Sequence, residues 1–135
     1  MTSNVQSMKQ FYRRLVFNAQ RNFHQWTRLA IEIINHHQYR PEVYFNFVKH
    51  ILLAGQNLLN TFKLLRRQWK QHAVVDQMIE LDRFSTNFLD QLKQIVMKTK
   101  RLTFTRIDPK IMSDIVEQIR LALEMSDLIR QKCFT

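Results

Sequence analysis

The chain reads as all-α, an antiparallel up-down four-helix bundle, and three observations predict it. One glycine and two prolines in 135 residues are too few turn formers for a β-sandwich or a βαβ fold. Apolar residues recur at three- and four-residue steps along most of the length, which is the helical period. Only short breaks separate these amphipathic stretches, so consecutive helices become antiparallel neighbours. The hydrophobic fraction of 45% supports a real core, and the prediction is a single domain over residues 1–135.

Tyr12, Leu15, Val16, Ala19, Phe23, Trp26, Ala30 and Ile33 form one stripe on a first helix of roughly residues 4–36. Pro41 presets the first turn of the second helix, with Glu42 beside its positive dipole end. The stripe of that helix is Tyr44, Phe47, Val48, Ile51, Leu58, Leu59, Phe62, Leu65 and Trp69, and Gly55 on the same face invites close approach of a neighbour. A third helix is predicted from about Ala73 to Thr99, with Val74, Met78, Leu81, Phe88, Leu92 and Ile95 inward. Residues 100–107 alternate in polarity and read as an extended connection. Asp108 and Pro109 then supply the N-cap and first position of a fourth helix reaching about Gln131. Besides its core stripe this helix carries Leu121, Met125 and Leu128, a surplus apolar face that predicts homo-oligomerisation.

Charge is the informative part of the composition. Lys and Arg number 21 against 11 acids, a net charge of +10. Residues 1–72 hold eleven of the basic residues and only two acids, Glu32 and Glu42. Arg14, Arg21 and Arg28 repeat every seven residues as a ridge on the first helix. Lys49, Lys63 and Arg67 line the second with Gln56 and Asn60 between them, and Arg66 and Lys70 add to its basic end. Nearly acid-free ridges with interspersed amides suit a phosphate backbone, so the predicted partner is nucleic acid, RNA or DNA, bound without sequence specificity. No helix-turn-helix spacing, zinc finger or RNP aromatic pair is present to read bases.

Catalysis has little to work with, and the chain is read as a non-enzyme with no cofactor and no metal. There is no glycine-rich phosphate loop, H-E-x-x-H or paired-cysteine spacing. His36 and His37 are adjacent and point about 100° apart on a helix. Cys133 is the one cysteine, and neither a signal-peptide core nor an apolar run of about 18 residues occurs, so a cytoplasmic protein without membrane attachment is expected. The alternative comes from Arg67-Gln68-Trp69-Lys70-Gln71-His72, whose Arg-x4-His spacing resembles the ribonuclease motif of HEPN helical domains. On that resemblance Arg67 and His72 would cleave RNA, as in a helical ribonuclease or a toxin-antitoxin component.

The layout also resembles the accessory variability determinant (Avd) family of diversity-generating retroelements. The resemblance is carried by two long helices split at a proline, by Val75-Asp76, Leu81-Asp82-Arg83-Phe84 and Phe88-Leu89, and by Ile107-Asp108-Pro109-Lys110 opening the last helix. It implies a homopentameric basic barrel that binds a reverse transcriptase and its template RNA and supports mutagenic cDNA synthesis without catalysing it.

Overall fold

A computed structural model describes residues 2–36, 41–71, 75–103 and 109–133, and among them there are four long helices and no strand. They are α1 (Thr2–His36), α2 (Pro41–Gln71), α3 (Val75–Lys100) and α4 (Pro109–Cys133). α1 packs on α2 and α4, and α3 packs on the same two, which closes a four-helix bundle. Pro41 and Pro109 stand at the first positions of α2 and α4, where a missing N–H costs nothing.

The connection expected to begin at residue 100 does not. α3 continues through Lys100, and Arg101–Thr103 adds a 3₁₀ turn. The cause is Leu102, which that turn tucks to 3% exposure under the bundle end. Burying the leucine outweighs the local alternation that read as extended chain. Residues 104–107 lie outside the described residues.

One cluster of buried side chains drawn from all four helices forms the core. Phe23 of α1 and Phe88 of α3 meet edge to face at its centre, ring centroids 5.1 Å apart. Ile51, Leu58 and Phe62 of α2 and Ile115 and Ile119 of α4 close around them. Four hydroxyls lie inside this apolar shell, each donating to a carbonyl of its own helix: Thr27 to Phe23, Thr61 to Leu58, Thr99 to Ile95 and Ser126 to Leu123. Among the described residues no buried side-chain nitrogen or oxygen lacks a partner.

Gly55 does what its place on the stripe requires. A Cβ there would stand 2.8 Å from both terminal carbons of Leu92, so the leucine of α3 fills the space that a side chain at position 55 would take and would have to shift to admit one. Leu92→Ala should cost about 2–5 kcal/mol in chemical denaturation. Gly55→Ala should be near neutral alone, its clash offsetting a helix-propensity gain of about 1 kcal/mol. In the Leu92→Ala background the same methyl should stabilise, because it enters the vacated space; equal effects in both backgrounds would show that the two sites do not touch.

Candidate nucleic-acid interface

Arg14, Arg21 and Arg28 are all exposed on the outer face of α1, seven residues or about 10 Å apart. The opposite face of the same helix buries Val16, Phe23 and Ala30, which holds the ridge in register with the core. None of the three arginines has an ion-pair partner among the described residues. Lys49, Lys63 and Arg67 are likewise exposed and unpaired on the outer face of α2. Between them Gln56 Nε2 donates to Asn60 Oδ1 at 3.3 Å, leaving a second amide N–H on Gln56 and both on Asn60 for another acceptor.

Arg66 differs from its neighbours. Its Nε donates to Asp82 Oδ1 at 2.7 Å across the α2–α3 seam, and that hydrogen bond and charge hold the guanidinium still further above its usual pKa. A phosphate would have to share it with a carboxylate, so Arg66 is the weakest member of the set the sequence selects. The side chain of Lys70, and all of His72, lie outside the described residues. Within the Arg-x4-His stretch Arg67 is exposed, while Gln68 is buried at 5% exposure.

Several features escape sequence reasoning. Gln20 looks like a surface residue, yet it is buried on the flank of the α1 stripe and donates to Asp127 at 2.7 Å, with His24 Nδ1 3.5 Å from the same carboxylate. Gln118 of α4 is buried against α3, accepting from Lys98 at 2.9 Å and donating to Gln91. Trp26 is half-buried and stacks on His50, centroids 4.3 Å apart and planes within 7°, so that face is engaged inside the α1–α2 seam rather than offered to a base. Of the surplus apolar face on α4, Leu121 and Leu128 are exposed, whereas Met125 is half-buried against the core.

Among the described residues no cluster of three His, Cys, Asp or Glu side chains could hold a metal ion, and no helix is long and apolar enough to cross a membrane. No protein-family model matches the chain, and no curated protein matches it.

Proposed function

We propose that this chain is a non-catalytic accessory protein that binds nucleic acid through its basic helix faces and works as a homo-oligomer. The observation that carries the reading is the α1 ridge: three exposed arginines at a seven-residue spacing, with no carboxylate partner among the described residues. Such a row tracks a phosphate backbone, and each phosphate it neutralises releases counterions. The resemblance to the Avd family gives the row a specific use, holding template RNA against a reverse transcriptase in a pentameric assembly. Up-down topology is part of the same reading: Gly55 faces Leu92 and Arg66 reaches Asp82, so rising numbers along α2 meet falling numbers along α3.

Binding to an RNA or DNA oligomer should weaken steeply with salt, with a log-log slope of about 0.7–0.9 per phosphate contacted. A flat salt response would remove the reading. The protein should leave RNA uncut, and His72→Ala should change nothing in that assay. Cleavage that disappears in His72→Ala would instead establish the ribonuclease alternative, since a lost general acid or base costs on the order of 10²- to 10⁴-fold in rate.

A further inference from the structure

The seam between α2 and α3 opens outward at one end into an apolar groove of about 420 Å³. Phe45, Leu52 and Leu53 form one wall, Val96 stands in the other, and Lys49 and Lys100 edge it. Among the described residues no acid lines it, and Leu53 stands 58% exposed at its rim, continuous with the apolar wall. Lys93, seven residues before Lys100, extends the positive edge along the same face of α3.

α4 carries the converse surface. Leu121 and Leu128 are 40% and 44% exposed. Glu117 and Glu124 lie four before and three after Leu121, on the same face, and both are exposed. Glu117 is held only by the surface pair with Arg120, and Glu124 has no partner among the described residues. The dimensions agree as well as the charges. Leu121 and Leu128 are about 10 Å apart along their helix, and the wall from Phe45 to Leu53 runs about 12 Å.

We propose that the groove takes α4 of a second copy of this chain, with Leu121 and Leu128 seated between α2 and α3 and with Glu117 and Glu124 beside Lys49 and Lys100. The proposal rests on the homo-oligomer reading above and says which surfaces make it. Groove and stripe are different patches, so the contact is head-to-tail, and every subunit both offers a stripe and receives one. Burying the leucines supplies the attraction, and the opposite charges set direction and register. The contact takes Lys49 out of the basic set on α2 and leaves Lys63, Arg67 and the α1 arginines outside the groove.

The test is mass by light scattering on nucleic-acid-free protein at micromolar concentration, with helical circular dichroism as the folding control. Wild type should weigh a multiple of 16.5 kDa. Lys49→Glu with Lys100→Glu should fall toward the monomer, and so should Glu117→Lys with Glu124→Lys. Combining all four reversals keeps the net charge at +10 and should restore the wild-type mass, because each edge again meets its opposite. An associating wild type whose two paired variants keep its mass would overturn the docking and leave the homo-oligomer standing. A combined variant that stays dissociated would likewise overturn the docking. A wild type that is monomeric at every concentration would overturn both.

Discussion

Reversing Arg14, Arg21 and Arg28 to Glu should lower affinity for RNA or DNA on the order of 10²-fold and reduce the log-log salt slope by about 2–3, one contact for each arginine. The matched control reverses Arg83, Lys110 and Arg120, which are exposed on α3 and α4. Both triple variants fall from +10 by two charges at each of three positions, to +4. A bulk charge effect would weaken binding equally in the two, whereas a located ridge loses affinity only when the ridge is changed. Equal losses would dissolve the ridge as a site, and no loss in either would remove nucleic acid as the partner. The arginines are exposed on the outside of a well-packed helix, so both variants should keep their circular dichroism and the measurement reports binding rather than unfolding.

Phe88→Ala and Phe23→Ala should each cost about 3–5 kcal/mol, the largest single-residue losses expected in the chain. Both rings are fully buried, and each is the other's edge-to-face partner, so truncating either leaves a cavity and removes an aromatic pair. A domain of this kind has roughly 5–15 kcal/mol in total, so either change takes a large share of it. At about 3–5 °C per kcal/mol for a chain of this length, Tm should fall by roughly 10–25 °C at fixed protein concentration. Phe11→Ala, at a site 57% exposed, should move it far less. Comparable shifts for Phe11 and Phe88 would mean that the core is not where the structure puts it.

The helices and their inward stripes were legible because a three-to-four period in apolar residues has one physical reading, and Phe23, Leu58, Ile95 and Ile119 sit where that period places them. Gly55 was legible for a related reason, since a glycine on a core stripe has little use except contact. The ridges followed from residue type and spacing, and exposure of Arg14, Arg21 and Arg28 follows from the burial of the opposite face. What periodicity misses are side chains whose character is decided by a distant partner. Gln20 and Gln118 lie off the apolar stripes, yet each flanks a core stripe and is buried because a group on another helix satisfies it. Arg66 read like Arg67, and only the turn of α3 that brings Asp82 to it separates them. Leu102 read as part of an extended connection because its alternating neighbours outvoted it, although one buried leucine decides the conformation.

The order of the seams bears on how the chain assembles. Three of the four packed pairs join helices consecutive along the chain, and only α1 with α4 joins its distant quarters. Each consecutive pair closes a short loop, at small entropic expense, before anything remote must find its place. The α1–α4 seam, whose Gln20 and Asp127 are 107 positions apart, has to wait for the longest diffusive search. A nascent chain would therefore bring three helices together without a fourth wall, with the Gln20 side of α1 open until α4 follows. The rate-limiting barrier then belongs to the latch between α1 and α4, the one seam that no short connection brings together.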